Sequence, residues 1–281
     1  MLLHISHNDL DGVCCGILIK SVFPKVKTLY LSYEELPTAL NDIPSNFSSV
    51  IITDISPPLT VVETFSGDRD FLLIDHHIST APLATHPFVK LDINKCAALL
   101  TYEKLTADGH DLTRYEKLVE RVNDFDLWKL KFEDSLKLNI LFNLLGIERF
   151  EKRFLETPYT EFLTDEDLII SIEEVRRDAY IRKAMKNAHR VTDRNGCQVA
   201  AVFAEAYSSE LGNALIKQGD TDYAVIINAQ RGKFSLRSRA DIDVSKLAEE
   251  RGGGGHKNAA GFSDDPGPLI AWVLEKIRIT P

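Results

Sequence analysis

The chain has 281 residues, 44% of them apolar and 27% charged, a size and balance that suit one large globular domain or two ordinary ones. Its 33 Lys and Arg against 42 Asp and Glu leave a formal charge of -9, which disfavours an extended electrostatic grip on long nucleic acid but not a short anionic ligand at a cation-lined point. No apolar run is long enough to span a bilayer, and the four cysteines (Cys14, Cys15, Cys96, Cys197) show no CxxC spacing, so neither a disulfide framework nor a zinc site is expected and a reducing cytoplasm is.

The first strand is expected at 2–6, "LLHIS". Asp9 and Asp11 follow it closely and no basic region precedes it, so it does not read as a secretory leader. Directly after it comes "HNDLDG", residues 7–12. Residues two apart in extended backbone share a side, so His7, Asp9 and Asp11 can converge on one spot, where the two carboxylates repel unless a cation sits between them. His4, inside the strand, reads as a packed core histidine. The segments "GVCCGILIKSVF", "YEELPTALNDI" and "PLTVVETF" have helical character and separate further strands at 27–32, 49–53 and 71–74. Strands alternating with helices predict βαβ units and a parallel sheet.

Two of these later strands also run into acidic groups. "SVIIT" ends at Asp54 and "FLLI" ends at Asp75-His76-His77. In an open parallel sheet, ligands bind outside the carboxyl ends of the strands. A single Asp there is an ordinary turn or helix cap. Three strand ends carrying Asp, two of them with His, point to a cluster suited to a pair of Mn²⁺ or Mg²⁺ ions, with zinc less favoured in the absence of thiolate. Two such ions about 3.5–4 Å apart clamp a phosphoryl group and activate water.

From about 95 to 190 the pattern is helical, ending in the charged "TDEDLIISIEEVRRDAYIRKAMKNAH", which reads as a connecting helix. Within this part, "VNDFDLW" carries Asp124 and Asp126; its ordinary reading is an acidic turn beside a packed Trp128. Afterwards "CQVAAVFA", "YAVIINAQ" and "KFSLRSR" return to strand character, mixed with helical "YSSELGNALIKQ", "DVSKLAEE" and "PLIAWVLEKI". In "KFSLRSR" alternation places Ser235, Arg237 and Arg239 on one face and Leu236 and Ser238 on the other, and two guanidinium forks suit phosphate. In "GGGGHKNAAG", residues 252–261, glycines lacking Cβ let backbone N–H groups approach an anion, with His256 and Lys257 beside them. A flexible linker is the usual reading of four glycines, but the flanking segments look ordered. The expected fold class is therefore α/β: a parallel-sheet domain over 1–164, a helical connector over 165–192, and a smaller α+β domain over 193–281.

"HNDLDG", Asp54 and "DHH" at 75–77, in this order behind apolar strands, resemble the DHH phosphoesterase superfamily, which includes RecJ-like exonucleases, nano-RNases, cyclic-dinucleotide phosphodiesterases and manganese pyrophosphatases. The resemblance implies metal-ligand roles for Asp9 and Asp11, one per ion, for Asp54 as the bridging carboxylate and for His76. It implies that Asp75 holds its neighbours in place and that His77 meets the scissile phosphate. The fourth motif is an Asp in the helical part, for which Asp124 is preferred and Asp126 is second. Many relatives carry a His four residues before the first Asp, a slot filled here by Ile5; His7, two before Asp9, either ligates or orients substrate.

The Arg-Ser strand followed by "GGGGH" resembles the DHH-associated C-terminal domain, which implies nucleotide binding by Arg237, Ser238 and His256 with Gly253, Gly254 and Gly255 as the loop. The implied active site lies between the domains, with the connector as a hinge. Together these resemblances imply a cytoplasmic, manganese-dependent (or magnesium-dependent) phosphodiesterase whose two ions activate water against short RNA. Linear or cyclic dinucleotides, 3′-phosphoadenosine 5′-phosphate, and a non-catalytic nucleotide-binding role stand as alternatives. A pyrophosphatase is disfavoured by the GGGGH loop. No membrane partner is expected, and the sequence is silent on oligomeric state.

Overall fold

The computed structural model describes residues 1–41, 43, 46–60, 62, 70–158 and 160–268. They form two compact units, Met1–Ile172 and Glu173–Pro281. The expected helix over 268–277 lies, apart from its first residue, outside the described residues, as does part of the helical segment over 58–65.

The first unit is built on a five-stranded parallel sheet in the order β2-β1-β3-β4-β5, from strands Leu2–His7 (β1), Lys27–Leu31 (β2), Ser49–Thr53 (β3), Asp70–Asp75 (β4) and Val89–Leu91 (β5). Both faces are covered, which explains why the strands read as continuous apolar runs. Leu3, Ile5, Val50, Ile52, Phe71 and Leu73 pack on one face with Leu36 and Leu40 of α2 (Leu36–Asn41). The opposite face carries α1 (Leu10–Val22), α3 (Ala97–Ala107), α4 (Glu116–Asp126) and α5 (Glu133–Glu156), whose core includes Ile17, Leu18, Tyr115, Leu141, Phe150 and Phe154. β5 was absent from the expected strands because three residues give no periodicity to read.

α6 (Thr164–Lys186) runs through the boundary between the units. Ile170 packs into the first core, while Tyr180, Ile181, Ala184 and Met185 pack into the second. The second unit holds a six-stranded mixed sheet in the order β10-β11-β9-β8-β7-β6, from strands His189–Thr192 (β6), Gln198–Phe203 (β7), Tyr223–Asn228 (β8), Lys233–Ser238 (β9), Gly254–His256 (β10) and Ala259–Ser263 (β11). Only β7 and β8 are parallel, joined through α7 (Ser208–Lys217). α8 (Ser245–Glu249) covers Leu236 and Ala260 on the other face through Ala248.

The glycine-rich stretch is a correction to the loop expected there: Gly254, Gly255 and His256 are a strand paired antiparallel with β11. Glycine is needed because the neighbouring backbone is so close. A Cβ on Gly253 would lie 2.1 Å from the Gly261 carbonyl oxygen, and one on Gly255, at φ 137°, would lie 2.6 Å from that of Ala259.

Candidate metal centre

The strand register gathers the acidic groups. Ser6 of β1 pairs with Thr53 of β3, and Thr53 pairs with Ile74 of β4, so the carboxyl ends of three adjacent strands finish level. His7, Asp54 and Asp75 therefore emerge at one rim. Asp54 takes the left-handed backbone conformation (φ 58°), which turns its side chain back over the strand ends, and its N–H is held by the Ile74 carbonyl at 3.0 Å.

Each carboxylate has its own surroundings. Asp9 caps α1, its Oδ1 accepting from Gly12 N at 3.0 Å, while its Oδ2 accepts from His7 Nδ1 at 2.8 Å. Asp11 is buried, and its two oxygens accept the N–H groups of Ala97 (2.7 Å) and Ala98 (2.8 Å) at the start of α3. That positive helix end suits a carboxylate and fixes its direction. Asp75 is fully buried and takes bonds from His76 N, His77 N, Ser56 Oγ and Thr80 Oγ1, and from His77 Nδ1 at 2.8 Å. Burial opposes its charge, but His77, Thr80 and Ser56 prevail and hold it down to about 2. Burial likewise opposes the charge of His77, yet the bond from its ring to Asp75 and the Asp75 charge raise it to about 9.

His76 is the centre of the rim. Its Nε2 lies 3.3 Å from Asp54 Oδ1, 3.6 Å from Asp126 Oδ2 and 3.8 Å from Asp11 Oδ2. Burial lowers its pKa and keeps the imidazole neutral, the form that binds metal. On the other side, Asp54 Oδ2 stands 4.0 Å from His7 Nδ1. Two groups result, His7 with Asp9 and Asp54, and Asp11 with His76 and Asp126, each with its ligand atoms within 4.8 Å of one another. Asp54 presents one oxygen toward each group.

The donor set fits divalent cations. Asp54 Oδ2 and Asp126 Oδ2 are buried and accept no hydrogen bond, a costly state for an oxygen that nothing else engages. Burial, followed by Asp9 and Asp11, raises Asp54 well above the usual carboxylate range, and burial followed by Asp9 pushes Asp126 up to about 7. These carboxylates are too close to ionise together unless positive charge joins them.

Of the two acidic candidates on α4, the structure brings Asp126 to the cluster and not the preferred Asp124. The Asp124 carboxylate is engaged elsewhere, accepting from Lys131 N (3.0 Å), Phe132 N (3.2 Å) and Ser135 Oγ (2.8 Å), where it ties α4 to the start of α5. Sequence reading also missed Tyr33, just beyond β2. Its ring lies 5.3 Å from that of His7 and 6.2 Å from that of His77, and it is 43% exposed at the rim. His4 is a buried core residue, its Nε2 2.9 Å from Thr53 Oγ1.

In the second unit, His256 and Arg237 both stand opposite Ala259 in the ladder, so they share one face of the sheet. Arg237 is held there by Ser209 Oγ at 2.7 Å and the Leu236 carbonyl at 2.8 Å. Ser238 points the other way, donating to the Ile242 carbonyl at 2.8 Å and accepting from Asn258 Nδ2, so the structure does not bring it to the Arg237 face.

A DHHA1 domain profile matches residues 180–269. Oligoribonuclease NrnB of Bacillus subtilis (strain 168) is 31% identical over 304 residues, spanning 98% of this chain and 76% of that protein. The chain belongs to the DHH superfamily. A second relative of this DHH protein, the 3′,5′-cyclic-nucleotide phosphodiesterase of Helicobacter pylori, is 26% identical over 93% of this chain and 92% of its own length. The fold is shared with RecJ of Thermus thermophilus, solved in complex with Mn²⁺, at a TM-score of 0.58 and 15% identity over 99% of this chain and 51% of that one.

Proposed function

We propose that this DHH protein is a metal-dependent phosphodiesterase that hydrolyses very short oligonucleotides. One observation carries the reading: Asp54 divides its two carboxylate oxygens between His7 with Asp9 and His76 with Asp11 and Asp126. That is the arrangement a bridging ligand needs. Two divalent cations, manganese first and magnesium second, held by these residues would supply positive charge to the phosphoryl oxygens and a water of lowered pKa. His77, held protonated at neutral pH by Asp75, donates toward a non-bridging oxygen of the scissile phosphate. Arg237 and His256 on one face of the second sheet provide a cationic fork and an imidazole for the terminal nucleotide, with the close-packed backbone of Gly253, Gly254 and Gly255 beside them.

The substrate class rests on the oligoribonuclease relative and on the chain's formal charge of -9, which suits a ligand gripped at a point. The cyclic-nucleotide phosphodiesterase relative supports cyclic or linear dinucleotides as the second reading. Four free cysteines, three of them buried, fit a reducing cytoplasm, and no helix among the described residues is long and apolar enough to cross a membrane.

The test is a substrate panel with Mn²⁺: RNA of two to five nucleotides, longer single-stranded DNA, a cyclic dinucleotide, 3′-phosphoadenosine 5′-phosphate and pyrophosphate. The short RNA is expected to turn over fastest. Exclusive cleavage of pyrophosphate overturns the reading. Asp54→Asn is expected to lose Mn²⁺ binding, followed by calorimetric titration, together with activity.

A further inference from the structure

α6 carries an apolar line that the fold leaves uncovered. Among the described residues thirteen large hydrophobic side chains are exposed, and four of them, Leu168, Ile169, Ile172 and Val175, lie within the first half of this helix, with a fifth, Leu163, just before it. Leu168 (60% exposed), Ile172 (51%) and Val175 (69%) fall at i, i+4 and i+7, and exposed Ala179 continues the line at i+11. This is the spacing of a coiled-coil seam, not of scattered surface residues.

The ends of the same line are charged, with opposite signs. One step before Leu168 in the seam stands Asp165, and one step after Ala179 stands Arg182; both are exposed. At about 100° per residue, all six side chains lie within an arc of about 100° on the helix. Among the described residues neither Asp165 nor Arg182 has an ion-pair partner. The helix as a whole is polarised the same way: residues 164–175 hold Asp165, Glu166, Asp167, Glu173 and Glu174 and no basic residue, while 176–186 hold Arg176, Arg177, Arg182, Lys183 and Lys186 against the single acid Asp178. The helix dipole accounts for acid in the first turn and base in the last, but not for an exposed apolar seam between them.

We propose that this face of α6 pairs with the same face of a second copy of the chain, antiparallel, about a two-fold axis near Glu173 and Glu174. Such a pairing is self-complementary: Leu168 meets the second copy's Ala179, Ile172 meets its Val175, and Asp165 meets its Arg182, each contact occurring twice. A parallel pairing would instead place acid on acid and base on base. Two helices of this length, about 34 Å each, make a small interface, so the expected dissociation constant is on the order of ten micromolar. The inference does not depend on the reaction proposed above.

The full chain in sedimentation velocity is expected to shift from 31.6 kDa toward twice that mass as its concentration rises through this range. Ile172→Lys, and independently Val175→Lys, should remain single chains throughout, with far-ultraviolet dichroism unchanged because both positions are exposed. Asp165→Arg and Arg182→Asp should each weaken pairing at least tenfold, and the two combined in one chain should restore it, since each new Arg again faces an Asp. A wild-type chain that stays single to tenfold above the expected constant overturns the proposal. So does a lysine variant that pairs like its parent, or a double charge variant no better than the single ones.

Discussion

Asp124 and Asp126 stand two positions apart on α4, which turns their side chains about 200° from each other. Only one of them can look toward the strand ends, and the geometry gives that direction to Asp126. Asp126→Asn is therefore expected to abolish Mn²⁺-dependent turnover with little loss of stability. Asp124→Asn should cost about 1–3 kcal/mol in urea unfolding, because three hydrogen bonds converge on that buried carboxylate. The opposite pattern would return the role to Asp124. The gathering of Asp54, Asp75, His76 and His77 at one rim was legible in the sequence because each stands at or just past the carboxyl end of an adjacent parallel strand, and that of Asp9 and Asp11 because they follow β1 so closely. Position on a helix decides between Asp124 and Asp126, and the adjacency of β2 to β1 brings Tyr33 to His7; neither is written locally. His4 gives a further residue-scale test. Burial, with Lys20 adding to it, lowers His4 to about 3, so the unfolded chain takes up a proton below its ordinary 6.5 while the folded chain does not. Its contribution to stability is complete above that value and is lost as pH falls from it toward 3. Between about pH 7 and pH 5 the loss from this residue is about 2 kcal/mol. His4→Gln should show a pH dependence of stability shallower than the parent's by that amount, and parallel curves would exclude His4 as its source.

At the scale of elements, the turn from β1 into α1 carries the heaviest constraint. Gly12 sits in the first turn of α1, where alanine ordinarily gains about 1 kcal/mol over glycine. Here a Cβ would lie 2.2 Å from the His7 carbonyl oxygen, which is backbone and cannot swing aside. Gly12→Ala is expected to destabilise by about 1–3 kcal/mol instead, by overpacking, and to lower activity further by displacing Asp9 and Asp11. A stabilised, fully active variant would show that the turn has room. β1, β3 and β4 were legible because strands buried on both faces write nearly uninterrupted apolar runs. β10 was not: two glycines and a histidine carry no hydrophobic pattern, and their strand conformation comes from the closeness of β11, which sequence spacing does not reveal.

Across the whole molecule, the connector expected over 165–192 is divided by the structure inside α6, because the two halves of that helix bury their apolar residues in different cores. Amphipathic spacing shows that each half has a buried face but not which core receives it. The acidic rim belongs wholly to Met1–Ile172, which predicts where metal acts on stability. His7, Asp9, Asp11, Asp54, His76 and Asp126 repel or strand one another without a cation, and an ion bound only by the folded rim stabilises it by mass action. At a hundredfold excess over its dissociation constant one Mn²⁺ ion adds about 2.7 kcal/mol, or about 5–10 °C for a unit of this size. Scanning calorimetry is expected to show the transition of the first unit rising by this amount with Mn²⁺ and falling back with chelator, while that of Glu173–Pro281 stays in place. Asp54→Asn should remove the shift without removing the transition. A shift shared equally by both transitions, or one that survives Asp54→Asn, would mean that the ion binds somewhere other than the strand ends.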